Sequence, residues 1–550
     1  MVIEMKRNKE LKGQSTTKGF AILSAAGMIT KILSLLYIPF LLTIIKDEGL
    51  GIYNQAYQIY VFIYVLTNAG IPSAISKLVS ELISVHNYRD AIKTFKIARY
   101  MLLVMGIAMS LIMMIFAFPM TKLLHIEKSA LAVLYLSPAI LFTSIASAYR
   151  GYFQGRGNMT PTAVSQVLEQ IMNTVFTLIF ASMLMKYGVI YGCAGGTIGT
   201  TIGAFASALY LMIFYEKNKV IKVPVGYKNM YVERNTNKQL VRKIIHYGVP
   251  ITLCVGMTYA GNLVDLMNTM SRLGAAGFNA VEANIKYGYL VKYQQLINVP
   301  IAIITALSMA ILPAISGAAA LKDKENVVSK INYSFRLAFM ISIPSAVGLA
   351  VLSAPIFKLI FTQKYYAGSE LMLYGSAVLV LTSVMQIQTT ILQGIGKLYT
   401  ATFYSVLGII FKVAANYFLI AIPSINIKGA VLGSIVGYSI PVILNHKVIK
   451  RSLKLEFKFL SHSVKPLISS AIMGAVAWAV YHYLSLLFKV LKIKSNYMCN
   501  AGICIIAIIM GAFTYMFGMI LTRGISSDDI QNMPRKVTRL IPNFMLKKVH

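Results

Sequence analysis

The chain has 550 residues, 57% of them hydrophobic and only 13% charged, with a formal net charge of +34. A soluble protein of this size needs far more charge to cover its surface, so most of the chain is expected to be solvated by lipid. The positive charge does not describe a nucleic-acid binder, because Lys and Arg fall in the short links between apolar runs rather than on one face of a soluble domain.

The apolar runs are roughly 20 to 30 residues long, enough to cross a hydrocarbon core of about 30 Å. After a basic, polar tail over 1–18, spans are expected near 19–45, 53–80, 91–118, 129–153, 161–185, 188–215, 240–271, 283–315, 329–353, 369–393, 400–422, 428–450, 463–489 and 496–522. The first run is too long for the core of a signal peptide and no small-residue cleavage site ends it, so it reads as a retained helix. The longest links, 216–239 and 451–462, are basic, as is the tail 523–550. With the N-terminus inside and sides alternating, the inside segments hold about three times the Lys and Arg of the outside links, as the positive-inside rule requires. The expectation is an all-α protein of the cytoplasmic membrane, with about 14 spans and both termini cytoplasmic.

A repeat runs through these spans. Phe153-Gln154-Gly155-Arg156-Gly157 ends the fourth and Leu392-Gln393-Gly394-Ile395-Gly396 the tenth, 239 residues on. Ile71-Pro72-Ser73-Ala74-Ile75-Ser76 is echoed by Leu312-Pro313-Ala314-Ile315-Ser316, Arg99 by Arg336, and Pro119-Met120-Thr121-Lys122 by Pro355-Ile356-Phe357-Lys358, at nearly the same offset. Six spans per repeat gives two bundles of the same orientation, 19–215 and 240–450, joined by the linker 216–239, with 451–522 added afterwards. Parallel bundles around a central cleft suit alternating access.

Ionisable groups at bilayer depth cost roughly 2.5–3.5 kcal/mol each on insertion scales, so each implies a cavity or a partner. Lys31 shares a small, polar stripe with Ser24, Gly27 and Ser34 and is expected to line a cavity. The alternative is an ion pair with Glu169, which shares a face with Thr162 and Ser165. Asp265 shares a face with Thr258, Asn262 and Thr269, and Lys412 one with Ser405, Gly408 and Asn416. Asp265 and Lys412 either pair with each other, which would neutralise both, or Asp265 helps hold a coupling cation. Lys292, beside Gln295 and Asn298, either faces the cavity or snorkels outward. Thr382, Gln386, Thr389 and Gln393 line either the cavity or a hydrogen-bonded helix contact. Tyr53, Asn54, Gln55, Tyr57 and Gln58 read as an interfacial belt, and Lys77 with Glu81 as a gate, an ion pair or loop charges.

Cys193, Cys254, Cys499 and Cys504 form no CxxC pair and no zinc spacing, and read as inert packing residues. No HExxH, no phosphate-binding GxxxxGK[ST] and no Ser/His/Asp arrangement occurs, so neither catalysis nor ATP hydrolysis is expected, and no cofactor or metal. An ion gradient, the membrane potential or the substrate gradient must supply the energy.

Gly27-Met28-Ile29-Thr30-Lys31-Ile32-Leu33-Ser34, Gly49-Leu50-Gly51-Ile52-Tyr53-Asn54, Gly70-Ile71-Pro72-Ser73-Ala74-Ile75-Ser76-Lys77 and Phe153-Gln154-Gly155 together resemble the stage V sporulation protein B branch of the polysaccharide exporters. That branch lies in the multidrug/oligosaccharidyl-lipid/polysaccharide flippase superfamily and is related to the peptidoglycan lipid II flippases. The resemblance covers nearly the whole chain. It implies two six-helix bundles, a lipid-tail groove formed by spans 13 and 14, and an undecaprenyl-pyrophosphate-linked substrate. It also implies basic residues of spans 1, 2 and 8 on the pyrophosphate. Lys31 matches the first; Lys77 lies in span 2; Lys292 or Lys286 stands for the third. A further arginine of span 1 in those relatives is replaced by apolar and aromatic residues around Tyr37. Their sodium site between spans 7, 11 and 12 is matched by Asp265, but Lys412 falls near a ligand position, where its ammonium would replace the ion. The expected partners are a lipid-linked oligosaccharide, membrane lipids and wall-synthesis enzymes, with the chain a monomer. A cation-coupled drug exporter of the same superfamily and a membrane scaffold for wall synthesis are the competing functions; intramembrane lysines and fourteen spans speak against the exporter.

Overall fold

A segment in hydrocarbon has no water to satisfy its backbone, so each span must close its own hydrogen bonds as a helix. The computed structural model of the chain does so throughout. It describes residues 16–85, 87–217, 234–320, 323–361, 366–453, 461–490, 497–522 and 524. Most of the expected tails and of the links 216–239 and 451–462 lies outside these residues. The described residues hold sixteen α-helices and no strand. They are α1 Thr16–Asn68, α2 Gly70–Ser84, α3 Tyr88–Ile115, α4 Ala117–Leu123, α5 Ala130–Gly155, α6 Thr160–Leu184, α7 Val189–Lys217 and α8 Asn237–Ala275, then α9 Ala280–Ala320, α10 Lys324–Val351, α11 Ser353–Phe361, α12 Ser369–Gly394, α13 Leu398–Leu419, α14 Lys428–Leu453, α15 Ser461–Val490 and α16 Tyr497–Leu521.

Among the described residues, twelve stretches are long and apolar enough to cross a membrane, and the chain is a multi-pass, all-helical membrane protein. Two differences separate twelve from the expected fourteen. The first two expected spans share one stretch, Ala25–Ile83, of 59 residues, and the eighth falls on α9, 41 residues long and not among the twelve. The expected break after residue 45 exists as geometry. Lys46 has φ 60° and ψ −175°, so α1 is two helical legs meeting at a corner. This positive-φ, extended conformation is essentially reserved for glycine and costs a residue with a Cβ about 1–3 kcal/mol. Packing holds the corner: Leu41, Leu42, Ile45, Leu50 and Ile52 around it are fully buried.

The chain forms two compact units, Met1–Gly288 and Tyr289–His550, so the contact boundary falls inside α9 and differs from the repeat boundary read in the sequence. In the first unit α6 and α5 pack on α7, α3 packs on α5, and α1 lies against α5, α6, α7 and α8. In the second, α13 and α12 pack on α14, α10 packs on α12, and α15 and α16 pack together against α10 and α11.

The repeated glycine motifs do the same two jobs in each unit. Gly157 and Gly396 adopt φ of 70° and 79° just past α5 and α12. Gly157 N–H donates to the Gln154 carbonyl at 2.9 Å and Gly396 N–H to that of Gln393 at 3.1 Å, closing each helix with a left-handed cap. The other glycine admits a neighbour. A Cβ on Gly155 would stand 2.7 Å from the Ser76 carbonyl oxygen, and one on Gly394 2.7 Å from Ile315 Cγ2. Ser76 and Ile315 belong to the two proline-containing echoes, so the repeated sequence elements touch each other within each unit. Gly155→Val is therefore expected to destabilise the protein by about 1–3 kcal/mol through overpacking. The check is the thermal midpoint of the purified protein, which should fall; an unchanged midpoint would contradict the packing role.

Candidate functional site

Lys31 lies on the first leg of α1, with its side chain exposed beside the exposed Met28, Ile29 and Ile32. It is not the partner of Glu169. The Glu169 carboxylate accepts from Arg150 Nη2 at 2.6 Å, and Arg150 also donates to Ser165 Oγ at 3.0 Å and Ser207 Oγ at 2.8 Å. The alternative reading of Lys31, a pair with Glu169, thus gives way to Arg150–Glu169, which joins α5 and α6. Arg150 sits near the C-terminal end of its span, where an arginine reads as a link charge, so its sequence position does not mark it as a partner for Glu169.

The second leg of α1 carries a row of aromatic rings. Tyr53, Tyr57, Tyr60 and Tyr64 follow one another with centroid separations of 4.9, 5.8 and 6.0 Å. Tyr57 hydrogen-bonds Thr200, which donates to Asn173 Oδ1 at 3.1 Å. Tyr53 and Gln55 are buried, so these residues are interior and not an interfacial belt. Gln55 Nε2 donates to Asn284 Oδ1 at 2.7 Å, binding α1 to the start of α9. The spacing of three and four residues was the visible signal; tyrosine's preference for interfaces hid its meaning.

Lys77 on α2 is exposed, 3.8 Å from Glu81, and its ammonium lies 3.8 Å from the centroid of the Tyr247 ring on α8. Asp265 is half-buried on α8, in the first unit, and within electrostatic reach of Tyr287. Lys412 and Asn416 lie on α13, in the second unit. They meet two glycines of α14: a Cβ on Gly437 would stand 2.5 Å from Lys412 Cβ, and one on Gly433 would overlap Asn416 Oδ1. Both side chains therefore lie along the α13–α14 seam. Cys193 is buried and its thiol donates to the Gly49 carbonyl at 3.2 Å.

In the second unit Lys292 is fully buried, with its ammonium 4.6 Å from the Tyr289 ring centroid and 5.9 Å from that of Phe361. Snorkelling to the interface is therefore not its arrangement. Gln386 Nε2 donates to Thr305 Oγ1 at 2.8 Å, a hydrogen bond between α12 and α9, while Gln393 is exposed at the end of α12. The same unit holds an apolar groove of about 490 Å³, lined by Pro300, Leu352, Ile356, Met473, Ile508 and Tyr515 among others, from α9 to α11 and from α15 and α16. Lys292 and Pro300 are eight residues apart on α9, about 12 Å at helical rise. One helix thus carries a buried cation and, two turns on, a wall of an apolar groove.

An all-helical, multi-pass chain with this repeat has the fold of a known class of membrane carrier. A solved structure described as "Lipid II flippase MurJ, inward closed conformation" superposes with a TM-score of 0.66 at 17% identity, over 91% of this chain and 98% of the other. The family model "Polysaccharide biosynthesis protein" matches residues 16–319, and the chain belongs to that family. Among individual proteins it is similar to stage V sporulation protein B of Bacillus subtilis (strain 168), 26% identical over 87% of this chain and 96% of the relative. It is equally similar to the lipid II flippase MurJ of the same organism, 26% identical over 91% of this chain and 94% of the relative.

Proposed function

We propose that the chain carries a lipid-linked saccharide precursor of undecaprenyl-pyrophosphate type across the cytoplasmic membrane by alternating access, for peptidoglycan or spore cortex synthesis. The observation that carries this reading is on α9. A polyprenyl pyrophosphate is a long apolar chain ending in a concentrated negative charge. The groove at Pro300 offers apolar walls to the former, and Lys292, buried two turns away on the same helix, holds a positive charge that opening of the carrier would present to the latter. Desolvation strengthens the attraction between an ammonium and a phosphate, so a buried lysine selects an anionic head more strongly than a surface one. In the first unit, Lys31, exposed on α1, and Lys77, exposed midway along α2, are the further cations proposed for the head group. The membrane potential acts directly on such an anionic cargo. A relative named as a lipid II flippase supports the same cargo class. On this reading the chain works as a monomer of about fourteen spans with both termini cytoplasmic. It is a carrier and not an enzyme, and its product feeds wall-synthesis enzymes outside. Lys412 and Asn416 of the second unit, and Asp265 of the first, are the proposed coupling residues.

The test is made in cells depleted of the protein and lacking other flippases. Precursor accessible at the outer leaflet should fall while total precursor rises. Unchanged outer-leaflet precursor would reject the proposal.

A further inference from the structure

The first unit contains a second pocket, unlike the apolar groove in kind. It measures about 540 Å³, within the range of about 300–1,000 Å³ usual for small-molecule sites. Its walls come from the turn after α4, the last turn of α8 and the first turns of α9, and include His125, Glu127, Lys128, Ser271, Phe278 and Asn284. On the alternation of Lys and Arg, all of these segments face outside. We propose that this pocket binds a neutral pyranose saccharide and holds the sugar part of the cargo on the outer side.

The argument is one of charge balance and shape. Lys128 is neutralised by Glu48, Nζ to Oε1 at 2.7 Å, and Glu127 adds a carboxylate at the wall. The Lys286 ammonium stands 4.3 Å from the centroid of Phe278. The charged residues that line the pocket, Glu127 and Lys128, are one of each sign, so the lining favours neither an anion nor a cation. A polyhydroxylated neutral ring both donates and accepts, and finds both kinds of partner. Phe278 lines the pocket, and because the Lys286 ammonium already meets one face of its ring, it offers a sugar apolar contact rather than a free π face. Asn284 is 3% exposed and its amide is fixed in orientation by the hydrogen bond from Gln55. His125 has φ 57°, and Ile126 N–H returns to the Thr121 carbonyl at 2.9 Å, a helix ending in which glycine is the usual residue. The turn holds an imidazole at the pocket where glycine would fit the backbone better.

The pocket goes beyond the transport reading, because sugar binding can be present or absent whether or not the chain translocates lipid. The experiment uses the full-length protein in nanodiscs and saturation-transfer NMR, with N-acetylglucosamine as probe and inorganic pyrophosphate as competitor. Wild type should transfer saturation to the sugar, and pyrophosphate should not displace it. Gly274→Phe should lower the signal at least fivefold, since a Cβ there meets nothing within 4 Å and the ring can fill the pocket without moving a neighbour. Gly502→Phe, at another open helical glycine on α16, should leave it unchanged. No signal from wild type, equal signals from wild type and Gly274→Phe, or displacement by pyrophosphate would each overturn the proposal. Failure here with outer-leaflet precursor still dependent on the protein rejects the pocket alone.

Discussion

Lys31→Ala is expected to leave the protein folded in the membrane and to lower transport of the lipid-linked precursor at least tenfold. The side chain is exposed on α1, so its loss opens no cavity, and stability should stay within about 0.5 kcal/mol of wild type. A hydrogen bond to a charged group is worth about 1.5–3 kcal/mol. Losing one to the pyrophosphate therefore costs about one to two orders of magnitude in the rate. Lys31→Arg keeps the charge and should retain a measurable share of activity. The two readouts are growth of a flippase-deficient strain and the thermal midpoint of the purified variant. Normal growth with Lys31→Ala would place this lysine outside the cargo path.

Arg150→Met is expected to give the largest loss of stability of any single substitution considered. It strips the Glu169 carboxylate of a partner at 2.6 Å in the interior of the first unit, where the two side chains are 12% and 27% exposed. Breaking a buried pair from one side costs about 3–5 kcal/mol, and partial exposure puts this pair at the lower end. Ser165 and Ser207 also lose a donor. The double variant Arg150→Met/Glu169→Leu removes both charges and should recover most of the loss, since a buried pair replaced by apolar groups is often neutral. A single variant as stable as wild type, or a double no better than the single, would show that the pair is not what orders α5 and α6.

The sequence announced the architecture because the rule behind it is coarse. Lipid admits only closed hydrogen-bonding, so the apolar runs became helices, and the echoes at Gly155 and Gly394 became equivalent contacts because only glycine fits there. Partners were harder to read. Glu169 was seen as needing a cation, but Arg150 lay hidden at a span end, where arginines are ordinary. Tyr53 and Gln55 were assigned to an interface by composition, whereas the corner at Lys46 folds that leg of α1 into the interior. For Gln386, a helix face offers cavity and glue equally, and its hydrogen bond to Thr305 on another helix is visible only in the structure. Partner choice depends on which helices become neighbours, and a periodic pattern on one helix does not specify that.

The most direct measurement is translocation by the purified protein in liposomes. A fluorescent undecaprenyl-pyrophosphate saccharide is incorporated in both leaflets, and a membrane-impermeant reductant then destroys only the label it can reach. With wild-type protein, label from the inner leaflet should become reachable and the signal should decay almost fully. With Lys31→Ala, the decay beyond the outer-leaflet share should be at least tenfold slower, and in protein-free liposomes it should be absent. Wild-type protein that leaves the inner-leaflet label untouched would contradict the proposed function.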